Sequence, residues 1–249
     1  MSIRLRWLAL VFAAGFGGGC AHNHVNPFLE PQDRIYGSVK TIALSPIVEP
    51  KELAEVDPGR GHFDSLITQE LQRAGFVVVA AESSRVIWRR VVDSLGGLYD
   101  AATGERDSIK LNTARAVTMA ELQARFRADA WLHPGIIFVD ADFDGGTAHW
   151  DGASQGYQSF GKKLLLALVH QDSYGNTSAL SLWVDMEDMH GKDLYVNQGG
   201  LQLYEIPHGR KWEPIQPGEV FADPTRNANA VHLALKPLVT RTKAASASP

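Results

Sequence analysis

The only cysteine of this 249-residue chain, Cys20, stands behind Gly17, Gly18 and Gly19 and an apolar stretch over 7–16, which itself follows Arg4 and Arg6. Two basic residues, roughly ten apolar ones and a small-residue exit are the three parts of an export signal, which is removed rather than folded. The stretch is too short for a membrane span, which needs about 20 apolar residues. A lone thiol cannot bridge to itself, so the exported part must fold by packing alone. The composition allows this: 45% of the residues are hydrophobic and 21% charged, which suits a packed core and excludes disorder as a description of the whole chain. The net charge of −4 leaves no polybasic surface to neutralise phosphates, so nucleic acid is not expected as a partner.

Small residues directly before a cysteine let a peptidase approach, and the arrangement at Cys20 resembles the bacterial lipoprotein signal, in which that thiol receives a diacylglycerol before cleavage. Gly17 departs from the aliphatic residue that the pattern prefers. The resemblance implies a signal peptide over 1–19 and acyl chains such as palmitate on Cys20. Such a lipid anchors without any spanning helix, since each buried CH2 contributes about 0.8 kcal/mol. Ala21 stands where an Asp would signal retention at the inner membrane, so the implied destination is the periplasmic face of the outer membrane. Residues 20–34, with Pro27 and Pro31 and little periodicity, read as a tether. His22 and His24 within it make an incomplete metal shell.

From 35 to 241 the pattern is that of one α/β domain, followed by a small, polar, frayed tail over 242–249. The β-branched run over 40–45 reads as a first strand. Phe63, Leu66, Ile67 and Leu71 recur at helical spacing up to a C-cap at Gly75, and 76–81 is a continuous apolar run suited to a buried strand. Ser83 or Ser84 caps a second helix closed by Gly96 and Gly97. Residues 98–113 read as a polar loop, and Thr118 with Glu121 as a capping box that opens a short helix. A strand over 129–139 bends at Pro134 and Gly135, and a Gly- and Asp-rich loop fills 140–161. Strands follow over 163–170, 178–187 and 193–204, joined by hairpin turns. Asp223 and Pro224 open a last helix that turns Ala230, Val231, Leu233, Ala234 and Leu238 inward. The order β-α-β-α-α-β-β-β-β-α implies a single domain with a mixed sheet flanked by helices.

The strand around Ile42 and Pro46, the helix end and strand through Leu71, Gly75 and Val79, the junction from Phe126 to Leu132 and the late meander with Trp183 and Tyr195 together resemble the envelope lipoproteins related to CsgG, LpoB and the N-terminal domain of TolB. The resemblance covers most of 38–241 as an order of elements. It implies a sandwich of helices around a mixed sheet that docks to other envelope proteins, and it brings no catalytic residues with it.

The sharpest chemical signal is Asp140, Asp142, Asp144 and Gly145, with Asp151 beyond. Calcium takes about six to eight oxygens, and alternating aspartates on a glycine bend can aim several carboxylates at one ion. Asp151 in place of a longer Glu, Thr147 where a hydrophobe is common and a strand-like lead-in depart from the EF-hand. The alternative is a solvated loop whose aspartates cap their own turns. No Gly-x-Ser-x-Gly elbow, His-Glu-x-x-His motif or phosphate-cradling glycine loop is present. His133, His149, His170, His190, His208 and His232 are scattered, so only geometry could make them catalytic. The aromatic and acidic character around Trp150, Tyr157 and Phe160 and around Trp183, Glu187 and Asp188 suits a protein interface or half-buried strand faces. The run over 162–170 is apolar on both faces and fits a central strand better than a membrane-barrel strand, which alternates. The expectation is a lipid-anchored, non-enzymatic accessory or assembly factor that binds another envelope protein. The alternatives are a calcium-dependent binding module and a subunit of an outer-membrane secretion assembly.

Overall fold

The computed structural model describes residues 26–53, 59–100, 102–144, 146–156, 174–208 and 211–240. Strand β1 (Thr41–Leu44) lies at the centre of a parallel trio, which is why three of its four residues are buried. Its start is pinned by the Asp129 carboxylate, which accepts from the Lys40 and Thr41 amides at 2.8 and 2.9 Å. Helix α2 (Gly59–Arg73) buries Phe63, Ile67 and Leu71, and Gly75, at φ 91°, turns the chain into β2 (Val77–Val79), parallel to β1. Helices α3 (Ala81–Ser94) and α4 (Ser108–Phe126) return over the opposite face to β3 (Ala130–Asp144), parallel to β1 on its other side.

Strand β3 then pairs antiparallel with β6 (Tyr174–Asp188) along its whole length, from Ala130↔Asp188 to Asp144↔Tyr174. Strand β7 (Asp193–Leu203) follows on β6, while β4 (Thr147–Trp150) and β5 (Ala153–Gly156) grow from the far end of β3 as hairpins. The result is a curled seven-stranded mixed sheet with helices on both faces, as the sequence pattern implied, plus a β8 (Glu205–His208)–β9 (Lys211–Pro214) hairpin and a last helix α5 (Pro224–Val239). Leu132, Ile136, Leu180, Leu182, Val184 and Met186 face α2 and α5, Trp131 faces α3 and α4, and Ala141, Ala179, Trp150 and Leu203 fill the inside of the curl.

Several local expectations are corrected. The apolar run at 76–81 forms an edge strand, not a buried one: Val77 is 62% exposed. The run is apolar because α2 and α3 cover its two faces. Neither Ser83 nor Ser84 caps α3, which starts at Ala81 with Ala80 as its N-cap, and Ser84 points into the core. Helix α4 starts at Ser108, ten residues before Thr118, behind an N-cap at Asp107 whose carboxylate accepts from the Ile109 and Lys110 amides. Thr118 and Glu121 sit mid-helix, because a capping-box spacing is also one ordinary helical turn. Of the expected loop over 140–161, residues 140–144 and 146–156 are strand and hairpin, and the rest lies outside the described residues, as do the expected strand over 163–170, the signal segment and the tail over 242–249.

The end of the expected tether is docked. Val196 N donates to Pro27 O at 2.9 Å, Leu29 N to Leu194 O at 3.0 Å, the Phe28 ring meets Tyr195 edge-on at 5.2 Å, and Lys192 pairs with Glu30. A short helix α1 (Gln32–Ser38) follows, held by buried Ile35 and by the Tyr36 hydroxyl, which donates to Leu238 O at 2.9 Å. Two or three apolar residues anchor such a segment, too few to show a period.

Helix α5 carries Pro237, which has no N–H for Leu233 O. The Asn197 amide of β7 donates to that carbonyl at 3.2 Å, and the Tyr195 hydroxyl donates to Ala234 O at 2.6 Å. Gly199 lets the helix sit this close: a Cβ there would lie 2.1 Å from Ala230 O and 2.7 Å from Ala234 N. We expect Gly199→Ala to push the helix off and cost about 3 kcal/mol in urea unfolding. Gly37→Ala, in open space on α1, should instead gain up to about 1 kcal/mol.

Asp64, on α2, is pushed up to about 6 by burial, opposed by the Ile47 backbone and the charge of Arg85. A raised folded-state value means the native chain holds more protons than the unfolded one between about pH 4 and 6. This site therefore favours folding below that window, and the benefit is lost as pH rises through it. Asp64→Asn should flatten the slope of unfolding midpoint against pH over that window, and an unchanged slope would refute the assignment.

Candidate functional site

The four aspartates expected to converge do not. Asp140, Asp142 and Asp144 occupy alternate positions on β3, so they share one solvent face with about 6.6 Å between successive members. Asp142 accepts from the Asn176 amide at 3.0 Å. Asp151 lies in the β4–β5 turn at φ 38° and looks the other way: Ser181 Oγ donates to it at 2.6 Å, and the Gln198 amide nitrogen, turned toward it, lies 3.1 Å from Oδ2. Among the described residues no group of three or more His, Cys, Asp or Glu side chains is gathered for a metal ion. Cys20, His22, His24, Tyr157, Phe160 and His170 lie outside the described residues.

The aromatic and acidic residues singled out in the sequence have separate fates. Trp150 is buried, its indole donating to Leu180 O at 3.1 Å. Asp188 closes the β6–β7 turn by accepting from the His190 and Lys192 amides. His232 meets Glu70 at 3.0 Å, and no hydrogen bond joins a serine to a histidine among the described residues.

Glu187 belongs to a polar cluster that no spacing announced. Only 1% exposed, its carboxylate receives Arg115 from α4 at 2.6 Å on Oε2 and faces His133 Nε2 of β3 at 2.8 Å on Oε1. Trp131 lies against the His133 ring, centroids 4.3 Å apart. Asp185, beside His133 in the ladder, is raised by burial and by the charges of Asp193 and Glu187, against the pull of His133 and Arg115. The contact from Arg115 to Glu187 ties α4 to the sheet, 72 residues apart in sequence. Removing one partner of such a pair strands a buried charge. Arg115→Met should cost about 3 kcal/mol in denaturant unfolding, and the double variant Arg115→Met/Glu187→Met clearly less, if the cost is that stranded carboxylate.

A wide opening lies at the edge of β7. It encloses about 1130 Å³ between the docked segment at Pro27 and Phe28, the β4–β5 turn and the last turns of α5, where Leu233, Lys236 and Thr240 line it. Its floor is the edge itself. The Val196 amide is taken by Pro27 O and the Gly200 amide by Asp151 O, at 2.9 and 3.0 Å. Gln198, between them with the same outward parity, presents its main-chain N–H and C=O to the opening. An open rung of backbone flanked by Phe28, Leu233 and the Lys236 ammonium is equipped to take an extended peptide as an added strand. No sequence signal marks it, because its walls come from four distant parts of the chain.

Fold and opening together define a single α/β domain with a curled mixed sheet and an accessible strand edge. No helix among the described residues is long and apolar enough to cross a membrane. No family model and no curated protein matches the chain. Among solved structures, it is similar to the crystal structure of lipoprotein GNA1162 from Neisseria meningitidis. That likeness has a TM-score of 0.32 and 14% identity, over 65% of this chain and 79% of that one.

Proposed function

We propose that the protein is a lipid-anchored, non-enzymatic accessory or assembly factor on the periplasmic face of the outer membrane, and that it works by binding another envelope protein. The observation that carries this reading is the opening at β7, where an unpaired backbone rung is flanked by apolar side chains and one cation. Main-chain pairing supplies affinity for an extended segment and the flanking side chains supply selectivity. The position of the opening agrees with the anchor. Pro27, on its rim, is seven residues from Cys20, a span of at most about 25 Å, so a lipid there keeps the opening close to the bilayer.

Two measurements test the two halves. Labelled palmitate should enter the wild-type chain and not Cys20→Ala, and equal labelling of both would remove the anchor. A photoreactive side chain at Ser154 or at Lys236, both on the opening, should trap the same envelope protein in cells, while one at Ile109, 77% exposed on α4, should not. A product from Ile109 as strong as those from the opening, or none from either rim position, would end the binding reading.

A further inference from the structure

We infer that the β7 opening takes an extended peptide in which a basic residue is followed directly by an acidic one, an inference that rests on the peptide-binding reading above. One carboxylate and one ammonium line the opening, Asp151 and Lys236, and among the described residues neither makes an ion pair. The partners of Asp151 are neutral: the Ser181 hydroxyl at 2.6 Å and the Gln198 amide nitrogen, turned toward it, at 3.1 Å. Lys236 is exposed on α5, whereas Lys192, just before β7, is matched by Glu30. Both charges of the opening are therefore available to a visitor.

The two charges lie on opposite faces of β7. Tyr195 and Asn197 turn their side chains to α5, so Gln198, one residue on, turns its side chain to the other face, where it meets Asp151. Lys236 belongs to the α5 face. Helix α5 runs against the direction of β7, with Ala230 over Gly199 and Ala234 beside Asn197 and Tyr195. Lys236, further along the helix, thus stands toward the end of the opening formed by Pro27 and Phe28.

A single open rung selects an antiparallel visitor. One residue directly opposite Gln198 then exchanges both main-chain bonds with it, and the rungs at Val196 and Gly200, whose amides Pro27 O and Asp151 O already hold, are not needed. Directly opposite residues of such a pair share a face, so the side chain of this residue joins that of Gln198 and meets the Asp151 carboxylate. The residue after it lies opposite Asn197 and points to the α5 face, at the end where Lys236 stands. Read from its N-terminus, the visitor is therefore basic, then acidic. The reversed order in the same register sets like charges against each other at both places.

Capped hexapeptides added to the full chain in detergent test this, with the Gln198 amide followed by NMR. Thr-Val-Lys-Glu-Val-Thr should slow exchange of that amide and bind at least about fivefold more tightly than Thr-Val-Glu-Lys-Val-Thr. The double variant Asp151→Asn/Lys236→Gln should bind the two alike. Lys236→Glu, a change at an exposed position, should turn the preference to Thr-Val-Lys-Lys-Val-Thr over Thr-Val-Lys-Glu-Val-Thr by about threefold, and it decides alone should the double variant fail to fold. Equal affinities in the wild type, or a preference that survives these variants, would overturn the charge order and leave the peptide-binding reading standing. A Gln198 amide that responds to none of the peptides, or that is already protected in the free protein because the chain itself fills the rung, would overturn both.

Discussion

Two adjacent glycines on β7, Gly199 and Gly200, govern how tightly this molecule closes. A Cβ on the first would strike the α5 backbone at Ala230 and Ala234. One on the second would lie 2.5 Å from the Ala153 side chain and 2.8 Å from Trp150. The last strand of the sheet is therefore gripped from both faces at one place, by a helix on one side and by the β4–β5 hairpin on the other. The grip brings Asn197 and Tyr195 within reach of the carbonyls near Pro237, so the helix keeps a proline without an orphaned acceptor. It also sets the distance between α5 and the β4–β5 turn, which touch through Leu233 and Gly152. The opening at Gln198 is what remains between those parts once the strand is held.

The C-terminal end of β6 is held by charge. Glu187 is buried, and Arg115 meets its carboxylate from a different layer. Such a contact adds little net stability compared with apolar packing of the same volume, but loss of either partner leaves the other charge uncompensated. Trp131 beside His133 and the Trp88–Trp131 contact, at 6.2 Å, surround that contact with ring surface. The middle and the C-terminal end of β6 are thus secured by different physics: close backbone approach near Ser181 and charge neutralisation at Glu187.

What could be read from the sequence follows from periodicity. Parallel β1 and the amphipathic α2, α3 and α5 announce themselves because their apolar residues repeat at the spacing of the element. The Asp row was visible and its geometry was not. On β3 the face that is apolar at Ala130, Leu132 and Ile136 becomes acidic at Asp140, Asp142 and Asp144, past the main core, so alternation that belongs to a strand imitates the alternation of a cation loop. Thr118 and Glu121 misled in the same manner, one spacing serving two local structures. The docked segment around Phe28 and the helix α1 were invisible because their stability comes from Tyr195, Leu194 and Leu238, far away in sequence. The β7 opening and the Glu187 cluster share that property: each is assembled from residues whose only relation is spatial.

The two edges of the sheet differ in a way that bears on what each can do. At β7 the chain covers the edge on either side of Gln198 with its own Pro27 and Asp151 carbonyls, leaving one rung inside a walled opening. A visitor there must be narrow, extended and able to pass between Phe28 and α5, which favours a peptide segment over a folded surface. At β2, which among the described residues pairs with β1 only, the adjoining α3 presents Glu82, Arg85, Arg89, Arg90 and Asp93 around a shallow depression. Because the two edges lie on opposite sides of the β3–β6 pair, a segment held in the opening at β7 leaves β2 and α3 untouched.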